Sequence, residues 1–244
     1  MLMLWTRQLT HFAVVILAAL SILVAVPQTA QAEVSEVSLK PMPDVVNVVT
    51  VYPTTAKTQP KILSTVSKAE VSTFSDVPGF KDSAILKAQD GNQVVALSQW
   101  YGKDLTSFES YAKEHILSIP AGRSAQSFVC QVQHTEARAD SLAFQPGDVV
   151  MFSQFKMKPD KAQSELATVI SQMMPGVLDM ISGLQWAAMC PSTDDSTIAL
   201  LARWNSRSDF ESLGQEAGFD PETNYWQDYA VNEHGLYDVA QVIR

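Results

Sequence analysis

The chain repeats itself. Displaced by 104 residues, Asp44-Val45-Val46 falls on Asp148-Val149-Val150, Lys57 on Lys161, Gln59 on Gln163, Gly79 on Gly183, Asp90 on Asp194 and Trp100 on Trp204, with no gap. Past the Trp the second copy is two residues shorter, after which Phe108-Glu109-Ser110 meets Phe210-Glu211-Ser212. Apolar positions follow the same displacement, so any fold assigned to one half has to serve the other.

Within the first copy, "DVVNVVTVY" is β-branched and bounded by Pro, which reads as a strand. Pro60 suits the first turn of a helix, and Ile62, Leu63, Val66 and Ala69 make its apolar stripe. Pro78-Gly79 ends that segment, and "FKDSAILKA" and "QVVALSQW" form a hairpin around the Asp90-Gly91 turn. A second helix places Leu105, Phe108, Ala112 and Ile116 on one face, and "QSFVCQVQH" supplies the last strand. The second copy repeats the order: strand "DVVMFSQFKM", helix Asp160 to Met174, strands "LQWAAMC" and "TIALLARW", helical segments after Ser208 and Pro221, and strand "LYDVAQVI".

The order βαββαβ is a ferredoxin-like α+β module, whose two helices cover one sheet face and leave the other apolar. Two such modules in one chain satisfy each other by pressing their bare faces together as an intramolecular α+β barrel, an internal pseudo-dimer that needs no second chain. The expected division is first domain 44–135, linker 136–147 and second domain 148–244, with 33–43 a further linker.

Residues 1–32 read as a secretory signal: Arg7, an uncharged run from Phe12 to Val26, then Pro27 and Ala30-Gln31-Ala32, with cleavage expected after Ala32. Fifteen apolar residues fall short of the roughly 20 that span a bilayer as a helix, so no stable membrane span is expected after cleavage. The mature chain would be exported to a periplasmic, lumenal or secreted location. It carries 16 Lys and Arg against 26 Asp and Glu, a balance that excludes a nucleic-acid partner as the default.

The segments "VVTVYP" and "VPGFKDSAILKAQDGNQVVALSQWYGKDLTSFESY" resemble the antibiotic biosynthesis monooxygenase (ABM) family of the dimeric α+β barrel superfamily. The resemblance covers residues 44–135, and 148–243 more loosely. It implies a small apolar or aromatic ligand held between a sheet and its helices. The activities it implies range from cofactor-independent oxygenation of phenolic or quinol-type aromatics to haem degradation, with non-catalytic binding of a small ligand or protein as the alternative.

Asn47 interrupts an apolar strand and has Met151 as its counterpart under the 104-residue displacement. It either orients a substrate through its carboxamide or bonds to backbone or water. For haem-degrading relatives the resemblance implies an Asn, an aromatic residue on the second helix and a downstream His. Asn47, Tyr111 and His115 stand nearest those places, although His115 follows Tyr111 by one helical turn, closer than that pattern wants. Trp100 and Trp204 recur in both halves, which favours packing, whereas the positions that changed, Gln99 to Arg203 among them, are better places for function. Trp186, Arg203, Tyr225, Trp226 and Tyr229 form the densest aromatic set, either a packed layer or the wall of a pocket for a flat ligand. His134 reads as solvated and His234 as a turn residue before Gly235.

No Gly-rich phosphate loop, Ser-His-Asp set or metal-ligand cluster is present, so no nucleotide, flavin or metal cofactor is implied. Cys130 and Cys190 lack metal-type spacing. In barrels of the superfamily the last strand of one half reaches over the second strand of the other, and from that resemblance we expect an interdomain Cys130–Cys190 disulfide.

Overall fold

The computed structural model describes residues 36–102, 124–139, 141–213 and 225–244; the signal segment, Tyr111 and His115 lie outside them. The first half contributes β1 (Val37–Ser38), β2 (Val45–Pro53), helix α1 (Gln59–Ser72), β3 (Phe80–Ala88), β4 (Gln93–Tyr101) and β5 (Gln126–Cys130). Then come β6 (His134–Ala137), β7 (Ala143–Phe144), β8 (Val149–Met157), helix α2 (Gln163–Met180), β9 (Leu184–Pro191), β10 (Thr197–Trp204), helix α3 (Arg207–Glu211) and β11 (Ala230–Ile243).

Nine strands make one antiparallel sheet in the order β5-β2-β4-β3-β11-β8-β10-β9-β6. In each half the fourth strand lies beside the first, then the third, then the second, which is the ferredoxin-like order expected of βαββαβ. The halves join where β11 pairs with β3. At the other end β5 and β6 are successive stretches of one extended segment, the former on β2 and the latter on β9. Between them Gln131 N donates to Pro191 O at 3.2 Å, Gln133 N to Met189 O at 3.0 Å, and Thr193 N to Val129 O at 2.9 Å. The two modules thus form an intramolecular α+β barrel, and the last strand of each half lies on the second strand of the other. Cys130 and Cys190 are disulfide-bonded across this closure, their Cα atoms 5.4 Å apart, within the range such a bond requires.

Period-two alternation sorts the side chains. Val49, Val51, Ala84, Leu86, Val95 and Leu97 enter the barrel's interior core with Val150, Phe152 and Leu201 from the other half. Tyr52, Ile85, Val94 and Ala96 face α1 with Ile62 and Val66. A short ribbon, β1 paired with β7, adds Val37, Leu39, Leu142 and Phe144 to the interior core. These residues come from the stretches expected only to link.

Register corrects the repeat by one residue. Trp100 pairs with Val46, but Trp204 pairs with Val149, so the structural displacement between β2 and β8 is 103, not 104. The counterpart of Asn47 is therefore Val150, which faces Arg203 as Asn47 faces Gln99, and not Met151. A run of valines aligns as well in either register, yet one residue of slip turns every side chain to the opposite face. In the hairpins the 104-residue displacement holds, including a bulge beside Lys81 and beside Gln185.

It also holds at the helix starts, and Gln59 and Gln163 explain why. Gln59 Nε2 donates to Ala88 O and Gln93 O at 2.8 and 2.9 Å, while Gln163 Nε2 donates to Ser192 O and Thr197 O at 3.2 and 2.7 Å. Each carboxamide ties its helix to both arms of the following hairpin. Two other boundaries differ from expectation. Helix α2 continues through Pro175 to Met180 because the buried stripe runs on to Leu178. Strand β11 begins at Ala230, so His234 is mid-strand and not in a turn; pairing with β8 along its whole length overrides the turn signal of Gly235.

A candidate active site between the first sheet and its helix

Helices α1 and α2 bury matching stripes at four-residue steps: Ile62, Val66 and Glu70 in one, Leu166, Ile170 and Met174 in the other. Glu70 thus occupies a core position, only 4% exposed. Beneath it the sheet is polar as well. Ser83 of β3 pairs directly with Ser98 of β4, both buried, and Tyr52 of β2 is 2% exposed. Thr50 Oγ1 lies 2.9 Å from Ser127 Oγ on the neighbouring strand.

Burial raises the Glu70 pKa to about 7. The Ser83 hydroxyl pulls weakly the other way, although Ser83 Oγ and Glu70 Oε2 both lack a hydrogen-bond partner of ordinary geometry. Burial also lifts the Tyr52 phenol well above its usual range, and the nearby Glu70 charge adds to that lift. The layer therefore combines a carboxyl that changes charge near neutral pH with a phenol that keeps its proton there. Such a pair can accept a proton from one group and donate a hydrogen bond to another.

Sequence reasoning missed Glu70 by drawing the α1 stripe through Leu63 and Ala69. The signal was there in the four-residue step Ile62, Val66, Glu70, which puts an acid where an apolar residue is due.

The residues singled out from sequence are dispersed. Asn47 and Gln99 point into the barrel, away from the helix layer. Gln99 Nε2 donates to Asn47 Oδ1 at 3.0 Å and to Ser38 O at 2.8 Å, and Asn47 Nδ2 donates to Cys190 Sγ at 3.7 Å. Lys81 Nζ, ion-paired with Asp82, reaches Gln99 Oε1 at 3.2 Å. This network anchors the ribbon strand and the disulfide. A haem between sheet and helices does not fit an Asn47 turned inward.

Trp100 fills the corner between strand and helix, donating from Nε1 to Ser98 Oγ at 2.8 Å, with Phe80 and Phe74 edge-on at 5.3 and 5.8 Å. Trp204 meets Phe210 edge-on at 5.3 Å in the corresponding corner. Trp186 packs on Phe144 inside the barrel. Arg203 Nε donates to Asp148 Oδ1 at 2.7 Å and, with Trp186, lines a cavity of about 190 Å³. Trp226 and Tyr229 join the second half's helix layer, Trp226 with its ring 6.0 Å from Phe155 and 5.1 Å from Tyr225. His134 begins β6, 3.3 Å from Glu136.

At the level of sequence, no family profile and no curated protein matches the chain. The fold is shared with an anthrone oxidase-like protein (TM-score 0.69, 16% identity, 85% of this chain and 95% of that one). It is also shared with a candidate monooxygenase of Fusobacterium nucleatum subsp. nucleatum (TM-score 0.56, 12% identity, 82% and 94%). What is shared is the α+β barrel fold, here with both halves supplied by one chain.

Proposed function

We propose that the chain is an exported ABM-like oxygenase that acts without a cofactor on a small phenolic or quinol-type aromatic, using the helix–sheet layer of its first half. The observation that carries this reading is Glu70, a buried acid with its pKa at about 7, set beside the protonated phenol of Tyr52. Glu70 takes the acidic proton of the substrate, and the resulting carbanion or phenolate gives its electrons to dioxygen. A quinol with a free ring C–H and one dioxygen give one hydroxyquinone and one water; for a methylene substrate, one methylene carbon and one dioxygen give one carbonyl and one water. Both C–H bonds break, one oxygen atom enters the product as the carbonyl oxygen, and the other leaves as water with the two hydrogens. Tyr52 donates a hydrogen bond to the oxyanion that develops. The Cys130–Cys190 bond supports export, since disulfides persist in oxidising compartments.

Oxygen uptake with a panel of hydroquinones and anthrone tests the proposal, anthrone being included because of the anthrone oxidase-like protein that shares the fold. Glu70→Gln is expected to lower uptake by roughly 10²- to 10⁴-fold, the usual contribution of a general base. Met174→Leu, at the matching place in the second half, is expected to leave uptake unchanged. Absence of uptake with every compound would instead point to a module that holds a small apolar molecule without turnover.

A further inference from the structure

A separate cavity opens where the halves meet, away from Glu70. Its volume is about 380 Å³, inside the range of roughly 300–1,000 Å³ typical of small-molecule sites. Gln154 and Phe152 of β8, Gly235 and Tyr237 of β11, and Asn92 and Gln93 from the β3–β4 hairpin of the first half line it. In the β8–β11 ladder Gly235 sits directly opposite Phe152, and the Tyr237 ring lies beside the glycine, 3.4 Å from where a Cβ would stand. Phe152 and Tyr237 meet edge-on at 5.9 Å and, both buried, close the bottom of the cavity by packing on one another. Tyr237 Oη donates to Gln93 Oε1 across the halves, and the Gln93 NH2 group has no acceptor among the described residues. Gln154 is 5% exposed, and its carboxamide has no hydrogen-bond partner among the described residues.

The Gln154 carboxamide is therefore left to water or to a ligand that enters the cavity. Charge does not select an ion here, because the lining acid Glu233 is already paired with Lys156 at 2.9 Å. Carboxamides, each offering a donor and an acceptor side by side, match neighbouring hydroxyl groups. Gly235, with no side chain, leaves room beside these amides for a compact saturated skeleton. We infer that this cavity binds a neutral polyhydroxylated ring of monosaccharide size.

The test is an NMR titration of the whole protein, following the side-chain amide signals of Gln154 and Gln93. The probes are glucose, galactose, mannose and N-acetylglucosamine, with phosphate and indole as controls. At least one sugar is expected to shift these signals saturably. Gly235→Val suits a strand, and a Cβ built there lies 3.4 Å from the Tyr237 ring, an ordinary contact. It narrows the cavity and is expected to weaken sugar binding at least about tenfold, equivalent to 1.4 kcal/mol, with the near-ultraviolet circular dichroism of the natural protein retained. Gln154→Leu should act likewise, and Glu70→Gln should leave sugar binding unchanged, so failure here is separable from failure of the oxygenase reading. The inference is overturned if none of the four sugars shifts the signals, as for a cavity that holds only water. It is equally overturned if phosphate or indole shifts them instead, or if Gly235→Val binds as the natural protein does.

Discussion

The two helix–sheet layers share one framework and differ in chemistry. Across the structural equivalences, Tyr52 of the first half becomes Phe155, Ser83 becomes Ala187, Ser98 becomes Ala202 and Glu70 becomes Met174. Each change removes the polar atoms and keeps an apolar residue in the core. The second layer is completed by Phe155, Trp204, Phe210, Tyr225 and Trp226, and there burial pushes the Tyr225 phenol up to about 12. The architecture therefore stands without the buried acid or the facing serine pair. Their presence in the first layer costs desolvation and is not repaid by packing, which is why function is sought there.

The comparison can be broken or sharpened by substitution. The largest effect is expected in the apolar stripe of α2: Leu166→Ala should cost about 2–5 kcal/mol in urea unfolding, as a cavity in a packed core does. Next comes Glu70→Met, which copies the second half into the first. The folded-state pKa of about 7 lies above the ordinary value of 4.5, so the folded chain holds this proton more tightly than the unfolded one. Stability from the protonated form is complete below about pH 4.5 and is lost as the pH rises through 7; at 1.36 kcal/mol per pKa unit this amounts to about 3 kcal/mol. Glu70→Met should therefore stabilise the protein at pH 8 by up to that amount and flatten its unfolding free energy between pH 5 and 8.

Gln59→Leu and Gln163→Leu should each cost about 1–3 kcal/mol, because each leaves hairpin carbonyls unsatisfied. Near-equal losses would show that the halves are alike in framework, whereas a large inequality would break that equivalence. Tyr52→Phe is the smallest change and should move stability by less than about 1 kcal/mol. If the oxygenase reading holds, it should lower turnover without altering the fold, as near-ultraviolet circular dichroism can check.

Much of the fold was legible because the repeat recurs in both identity and apolar period. Trp100 with Trp204, and Gln59 with Gln163, lie at residues that hold helix to hairpin, so the framework itself is written twice. The slip of β8 against β2 was not legible, since consecutive valines carry no alternation to fix a face. Ribbon strands β1 and β7 escaped notice because two-residue strands have no period, although their side chains are among the most buried. Of the candidate site, the sequence offered Asn47, whose strand faces inward once the register is known. Glu70 was passed over as one more acid in a chain with 26 Asp and Glu. Only its distance from Val66 distinguishes it, and that distance matters only once the buried face of α1 is known.

The central claim is that the first layer holds an acid poised near neutrality where the second holds none. Carbon-13 NMR of the glutamate carboxyl carbons, with Glu70 assigned by comparison with Glu70→Gln, tests it without knowledge of any substrate. A Glu70 titration midpoint at about 7 is the predicted result. A midpoint near the ordinary 4.5 would show a solvated carboxylate and contradict the account.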